Sequence, residues 1–207
     1  MEKLQTFLNS YQLWLGIILG WVLTRIMEVL RKPTITFRPA EDSEFARGGK
    51  KFKFINIIVK NSKQNPIKKF LIGNSSLNNA RVWLLFRDYA SKIEVLRING
   101  RWASTKEPVD YNSGQPIISE TLILSRDTIP PGEEASVAVA IKEFSENIFF
   151  GFNNESYLHS WKHPDYELKD DKYWVQLHIL ADGEEYYHEF LLLNSSKGLK
   201  NFKILKK

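Results

Sequence analysis

From residue 33 onward, the chain consists of short runs in which apolar and polar side chains alternate, separated by residues typical of turns. A period of two places successive side chains on opposite faces of a β-strand. Such runs predict strands over 34–38, 52–59, 81–87, 136–141, 173–179 and 186–193, with weaker candidates over 93–98 and 116–124. The run over 52–59 is apolar on both faces, which predicts a central strand. Seven or eight short strands favour an all-β fold, an antiparallel β-sandwich.

The segment before Pro33 has a different pattern. Residues 4–24 carry no charge, and at about 1.5 Å per residue they span roughly 31 Å, close to the hydrocarbon thickness of a bilayer. The uninterrupted apolar run covers only 13–23, a length also found in signal peptides, but no small-residue cleavage site follows it. We expect one N-terminal transmembrane helix that Pro33 ends, with a cleaved signal or a buried helix as alternatives.

Basic residues flank the predicted anchor mainly on its C-terminal side. Arg25, Arg31 and Lys32 follow it, whereas Lys3 and the amino terminus precede it. Because basic residues favour the inner side of a membrane, we expect the domain after the helix to be cytoplasmic.

Small residues repeat along the same helix. Gly16, Gly20 and Thr24 are four residues apart, which places them on one helix face. Small side chains on such a face let two helix backbones approach closely in a membrane. We expect this stripe to form a helix–helix interface, either in a homodimer or with another membrane subunit.

Charge and cysteine content limit the other possibilities. The chain has no cysteine, which excludes disulfides, thiolate metal sites and a cysteine nucleophile. The net charge of +5 is uneven, because residues 45–87 contain bases and no acid while acids predominate over 88–195. The basic stretch could meet phosphates or anionic lipid, or pair with the acidic part of the same domain. We expect no nucleic acid partner; the candidate anion-binding residues are Lys50, Lys51, Lys68 and Lys69.

Residues 149–167 form the most unusual segment, since they are long, aromatic and polar at once. Long loops on a rigid β scaffold often carry binding residues. The alternative is an ordered crossover whose aromatic residues cover the end of the core. The candidate binding residues of this segment are Asn153, Asn154, Glu155, His159, Trp161 and His163.

The same segment contains the pattern closest to a metal site. His159 and His163 would face one way on a helical turn, as metal ligands do. Pro164 follows at once, and the intervening residues lack a zincin glutamate, so we expect no metal, no cofactor and no catalytic residue. Nucleotide-binding and serine-hydrolase motifs are also missing from the sequence. A hydrolase built on 149–167 is the second alternative function.

Two segments resemble those of immunoglobulin-like and fibronectin type III-like domains. The sequence Ile-Pro-Pro-Gly-Glu-Glu over 129–134 leads into an alternating strand, and 171–183 is similar to their closing hairpin. The layout, with Gly-Arg-Trp over 100–102 and the segment 151–157, resembles uncharacterised single-pass membrane proteins of archaea and bacteria. The resemblance covers about 33–193 and implies an immunoglobulin-like β-sandwich without catalytic residues.

These patterns predict a membrane anchor helix over 1–32, a β-sandwich domain over 33–195, and a basic C-terminal tail or edge strand over 196–207. We expect a membrane-anchored, non-enzymatic protein-interaction module, as one subunit of a larger membrane assembly. Its partners would be the lipid bilayer and an unidentified protein. The first alternative is a membrane-bound sensor or effector whose sandwich binds a small anionic ligand through residues 50–69.

Overall fold

The computed structural model describes residues 2–41, 43–63, 65–66, 69, 75–195 and 198–207, with side chains described from residue 14 onward. One long helix, α1 (Glu2–Arg31), comes first. The described residues after it form thirteen strands: β1 (Ile35–Pro39), β2 (Ser43–Arg47), β3 (Lys50–Asn61), β4 (Leu77–Asp88), β5 (Glu94–Asn99), β6 (Arg101–Trp102), β7 (Asp127–Ile129), β8 (Glu134–Glu143), β9 (Phe149–Gly151), β10 (Glu167–Leu168), β11 (Lys172–Ala181), β12 (Glu184–Asn194) and β13 (Phe202–Lys206).

The strands form two sheets, and each strand pair in the described residues is antiparallel. The first sheet has the order β1-β3-β8-β9-β10, with β2 also on β3 and β6 also on β8. The second has the order β13-β12-β11-β4-β5, with β7 also on β4. The predicted antiparallel β-sandwich is therefore confirmed, and β3 is central, since it pairs with β8 on one side and with β1 and β2 on the other.

The main core lies between the two sheets, where the apolar side chains of each alternating strand meet. The first sheet contributes Ile55, Ile57, Val59, Val137 and Val139, and the second contributes Val82, Leu84, Phe86, Val175, Leu177 and Ile179. Trp102 is fully buried among them, and its Nε1 donates to the carbonyl of Ala80 at 2.8 Å. Trp102 belongs to β6 of the first sheet and Ala80 to β4 of the second, so this hydrogen bond links the two sheets across the core.

The weak strand prediction over 116–124 is wrong. Pro116 forms only an isolated bridge to Val109, and Ile118–Thr121 is a one-turn helix. Leu122 and Ile123 are exposed, so the apolar residues of this stretch have no partner strand beneath them. A short apolar run does not by itself distinguish a strand from a turn with exposed side chains.

The hairpin of β2 and β3 shows how a turn sets the register of this sheet. Gly48 and Gly49 both have positive φ, 57° and 76°. Two consecutive left-handed residues are what a two-residue hairpin turn requires, and glycine adopts them without steric cost. The turn brings Phe45 opposite Phe52 and Ser43 opposite Phe54.

The N-terminal helix makes few contacts with the sandwich. It ends at Arg31, whose carbonyl accepts a hydrogen bond from the Ser75 hydroxyl. Beside it, the Lys32 ammonium contacts Glu184 at 2.8 Å. Across the residues that the structure describes, no helix has the length and apolar content needed to cross a membrane, so the predicted transmembrane helix is not supported.

The C-terminal residues belong to the sandwich. Residues 202–206 form β13, which pairs with β12 at the edge of the second sheet. Phe202 is fully buried in the main core, whereas Lys203 and Lys206 are exposed. Exposed lysines on an edge strand hinder pairing with a further chain.

Candidate binding site

The outer face of the first sheet carries aromatic and polar side chains in a fixed register. In one row across three strands, Arg101 of β6 lies beside Ala138 of β8, which lies beside Asn56 of β3. In a neighbouring row, Phe54 of β3 lies beside Ser43 of β2. Since cross-strand neighbours on one face are about 4.5–5.5 Å apart, these five side chains share one surface.

The segment 149–167 covers part of this surface. Phe54 makes edge-on contacts with Phe152 and Trp161, with ring centroids 5.0 and 5.3 Å apart. Phe152 also packs against Tyr157 at 5.7 Å, and Phe52 against Trp161 at 5.3 Å. Edge-to-face aromatic pairs stabilise by about 0.5–1.5 kcal/mol beyond the area they bury. The aromatic residues of 149–167 therefore form a second, smaller core outside the sandwich.

Backbone strain directs Trp161 into this cluster. Ser160 and Trp161 both have positive φ, 52° and 77°, a region that side chains other than glycine seldom adopt. Such conformations cost on the order of 1 kcal/mol each and persist only where the surroundings impose them. Here the Trp161 amide donates to the carbonyl of Ser156 at 2.7 Å, and the indole contacts Phe52 and Phe54.

A buried ion pair holds the other side of the segment. The Lys162 ammonium lies 2.7 Å from Glu143 at the end of β8 and 2.7 Å from Glu146. Glu143 also accepts from Ser145 and Lys50. Burial alone would raise the pKa of Glu143, but the hydrogen bonds from Lys162, Ser145 and Lys50 outweigh it and lower that pKa to about 2. Glu143 is thus ionised at neutral pH and clamps the segment to the sheet.

Between the sheet and this segment lies an open cleft of about 290 Å³. That volume is near the lower end of the range for small-molecule sites, roughly 300–1,000 Å³. Its walls are mainly aromatic, with a few polar groups: Ser43, Phe45, Phe54, Asn56, Arg101, Ala103, Glu107, Ala138, Phe152, Tyr157 and Trp161. A concave, mainly apolar surface with a few convergent polar groups is the usual composition of a binding site.

Arg101 is the least ordinary member of the cleft. It is only 5% exposed, and its two terminal nitrogens donate to the carbonyls of Trp102 at 3.3 Å and Thr105 at 2.5 Å. Its Nε has no hydrogen-bond partner among the described residues. A guanidinium has five N–H donors, and buried charges are normally paired. Arg101 therefore has unused donors, and the carboxylate that shares the cleft with it is that of Glu107.

Two further polar atoms of the cleft are buried without a partner in the described part of the chain. They are the Ser43 hydroxyl and the Trp161 Nε1. Native proteins satisfy most buried polar atoms, since leaving one unpaired costs about 1–3 kcal/mol. With the Nε of Arg101, three residues that line the cleft each have a buried polar atom without a partner in the described part of the chain.

The cleft also contains one acidic side chain. Burial is the main cause that raises the pKa of Tyr157 above its ordinary value; nearby Arg101 opposes this, and the carboxylate of Glu107 reinforces it. Tyr157 is therefore a neutral hydroxyl, and Glu107 is the acid that lines the cleft with it. At the rim, the Arg47 guanidinium lies 4.6 Å from the centroid of the Trp161 ring, a cation–π distance.

Of the residues predicted in 149–167, the structure brings Trp161 into the cleft. Asn153 and Asn154 are buried instead and support the segment from within: the Asn153 side chain bonds Ser156 and Tyr166, and that of Asn154 donates to the carbonyl of Ile123. These amides stabilise the turn.

Glu155, His159 and His163 form a separate group on the outside of the segment. The two imidazole rings are 4.3 Å apart, His163 stacks on Tyr166 at 4.2 Å, and the Tyr166 hydroxyl donates to Glu155 at 2.5 Å. Burial, and then His159, lower the pKa of His163. In the described part of the chain, no three His, Cys, Asp or Glu residues are placed to hold a metal ion. The aromatic cleft is lined by other residues, and the hydrolase alternative stays a prediction.

The predicted basic residues lie at different points of the chain around β3. Lys50 and Lys51 begin β3, whereas Lys69 follows its end, and Lys68 lies outside the described residues. Lys50 is paired with Glu143 at 3.1 Å. Anion binding through 50–69 stays a prediction.

The small residues of α1 remain accessible. A Cβ atom added at Gly16 or Gly20 would meet nothing within 4 Å, and the Thr24 hydroxyl donates to the carbonyl of Gly20 at 2.9 Å. This face is thus open, as a helix–helix contact requires, and the contact itself stays a prediction.

Sequence reasoning did not assign a role to Arg101, Phe54, Asn56 or Ser43. Part of the signal was present, because 52–59 is apolar on both faces, and an apolar outer face needs a cover. Arg101 follows Gly100 and precedes a tryptophan in the sequence. Its place in the same cross-strand row as Asn56 depends on the pairing of β6, β8 and β3, which are distant in sequence.

No protein-family model, curated protein or solved structure matches this chain.

Proposed function

We propose that this protein is a non-enzymatic interaction module, and that the aromatic cleft on the first sheet holds a group of its binding partner. The observation that carries the proposal is the composition of a cavity of about 290 Å³, in which aromatic walls surround the nearly buried side chain of Arg101 and the polar side chains of Asn56 and Glu107. Aromatic walls supply contact area and the polar groups supply orientation, which is how binding energy is concentrated at interfaces.

We further propose that α1 holds the sandwich at a lipid bilayer. Between residues 14 and 26, large apolar side chains are exposed all round the helix, among them Ile17, Ile18 and Leu19, which are 53–62% exposed. A helix that is apolar on every side is stable when it is surrounded by apolar material, and the sandwich does not supply that cover. A bilayer would, and pairing through Gly16, Gly20 and Thr24 with another helix is compatible with it.

The strand pairing supports an immunoglobulin-like topology for the sandwich. Taking β1, β3, β4, β5, β6, β8, β11 and β12 in chain order as strands A, B, C, C′, D, E, F and G gives the pairs A–B, B–E and D–E in one sheet and C–C′, C–F and F–G in the other. These are the pairs of the immunoglobulin fold. Interaction modules commonly use this fold, although a fold alone does not define a function.

The proposal is tested by photo-crosslinking in the membranes of cells that produce the full-length chain. A benzophenone amino acid replaces Phe45, which lies at the cleft rim and is 53% exposed, and in a matched control it replaces Tyr187, which is 49% exposed on the second sheet. We expect a discrete crosslinked product from position 45 that position 187 does not give. Equal products from both positions, or none from position 45, would contradict the cleft as the binding surface.

The membrane part of the proposal is tested separately by fractionation. The full-length chain should sediment with membranes and resist alkaline carbonate, and Ile18→Asp should release it, because an unpaired carboxylate in a bilayer is costly. Glu28→Gln, a change on the charged part of α1, serves as the control and should leave the distribution unchanged. A wild-type chain that stays soluble and monomeric without detergent would contradict this part alone.

A further inference from the structure

We infer that the cleft is selective for a single carboxylate group attached to an apolar or aromatic body. This inference rests on the proposed function, since it names the chemistry of the group that the same cleft holds. The geometry combines a buried guanidinium, aromatic walls and one acidic side chain at the opening.

The positive charge at Arg101 calls for an anion. Of its five N–H donors, two are used by the carbonyls of Trp102 and Thr105 and Nε is shielded from solvent, which leaves one further N–H on each terminal nitrogen. A planar guanidinium presents paired N–H groups that match the two oxygens of a carboxylate, and such charge-assisted bonds are the stronger ones. The environment of Arg101 is nearly dry, which strengthens the attraction relative to water.

The size and walls of the cleft limit what the carboxylate is attached to. A volume of about 290 Å³ admits a group the size of a phenyl or branched alkyl chain with its carboxylate. Phe45, Phe54 and Trp161 supply ring faces and edges on which an apolar body packs. A small hydrophilic acid would leave these rings in contact with water and would gain little from them.

Glu107 limits the charge of the ligand. It lines the same cleft as Arg101, close enough to Tyr157 to raise the pKa of that hydroxyl. A dianion such as a phosphate monoester would gain from Arg101 but meet a second, repulsive charge at Glu107. A monoanion meets less repulsion, so the pair of Arg101 and Glu107 favours carboxylate over phosphate.

The test uses the full-length protein in detergent micelles and compares three probes with the same aromatic body. They are 3-phenylpropionate, the neutral 3-phenylpropionamide and the dianionic 2-phenylethyl phosphate. Binding is followed by calorimetry and by the NMR shift of the Trp161 indole N–H, assigned with Trp161→Phe. We expect the carboxylate to bind at least tenfold more tightly than the amide and at least threefold more tightly than the phosphate.

Three variants divide the binding between charge and apolar contact. Phe45→Ala should weaken the carboxylate and the amide by the same factor. Glu107→Gln should tighten the carboxylate two- to fivefold and leave the amide unchanged. Arg101→Lys should weaken binding of the carboxylate probe at least tenfold. If this variant does not fold, the Glu107→Gln variant and the comparison of 3-phenylpropionate with 3-phenylpropionamide test the inference instead.

The source of the carboxylate is resolved by a peptide, acetyl-Ala-Ala-Phe, with a free or an amidated C-terminus. If the peptide with a free C-terminus binds more tightly than phenylpropionate, the site recognises the end of a protein chain. If it binds more weakly than phenylpropionate, the site recognises a small acid. Both results support the inference. Equal affinity for acid and amide, a phosphate that binds more tightly, or no shift of the Trp161 resonance with any probe overturns it. The crosslink at position 45 would then still decide the proposed function independently.

Discussion

The clamp between Glu143 and Lys162 gives the sharpest prediction about stability, through the change Glu143→Gln. The pKa of Glu143 is lowered from 4.5 to about 2 in the folded chain. At about 1.4 kcal/mol for each pKa unit, this difference corresponds to roughly 3 kcal/mol at neutral pH. Because Lys50, one of the three partners, is more than half exposed and its contribution is screened by solvent, we expect about 2 kcal/mol.

The sign of the pH dependence follows from the direction of this shift. A carboxyl group whose folded pKa is lowered stabilises fully above its unfolded pKa near 4.5, and the stabilisation is lost as the pH falls towards 2. Glu143→Gln removes it at every pH. The difference in unfolding free energy between wild type and variant should therefore be about 2 kcal/mol at pH 7 and less than half of that at pH 3.

Thermal unfolding followed by circular dichroism measures this difference. For a chain of this size, about 2 kcal/mol lowers Tm by roughly 4–8 °C. Glu94→Gln, which disrupts an exposed pair with Arg97, is the control and should change the unfolding free energy by less than about 1 kcal/mol. A difference between wild type and Glu143→Gln that is the same at pH 7 and pH 3 would refute the reasoning.

Three further changes test the packing around the cleft. Gly100→Ala places a Cβ 2.5 Å from Val82 Cγ1, which should destabilise by about 1–3 kcal/mol in chemical denaturation; an unchanged midpoint would contradict the close approach. Trp102→Phe removes the bond to the Ala80 carbonyl and should cost about 1–3 kcal/mol by the same assay, unless that carbonyl finds another donor. Lys162→Met should speed amide hydrogen exchange across 152–161 without changing β11, and equal speeding of both would show general destabilisation instead.

The sandwich was predictable because its strands are short runs of alternating or continuously apolar residues separated by turn residues. The runs over 52–59, 173–179 and 186–193 each lie within an observed strand, since one side chain in two faces the core. The stretch 116–124 failed for the opposite reason: its apolar side chains project into solvent, and local pattern does not report which side is covered.

The candidate site was only half predictable. Trp161 could be selected because it lies in a long aromatic segment, and such segments on β scaffolds often bind. Arg101 could not be selected from the sequence. Its burial and its place in the same cross-strand row as Asn56 follow from strand pairing between residues distant in sequence. Lys50 and Lys51 begin a strand of twelve residues, which net charge does not reveal.

The absence of cysteine permits a direct measurement of whether the cleft is occupied. Ala103, exposed at the cleft, and Ala90, exposed on the hairpin of the second sheet, are each changed to cysteine in the full-length chain. The rate of maleimide labelling is then compared in native membranes and after purification in detergent. We predict that Ala103→Cys reacts several-fold more slowly in the membranes while Ala90→Cys reacts equally in both; equal rates for Ala103→Cys would contradict a partner in the cleft.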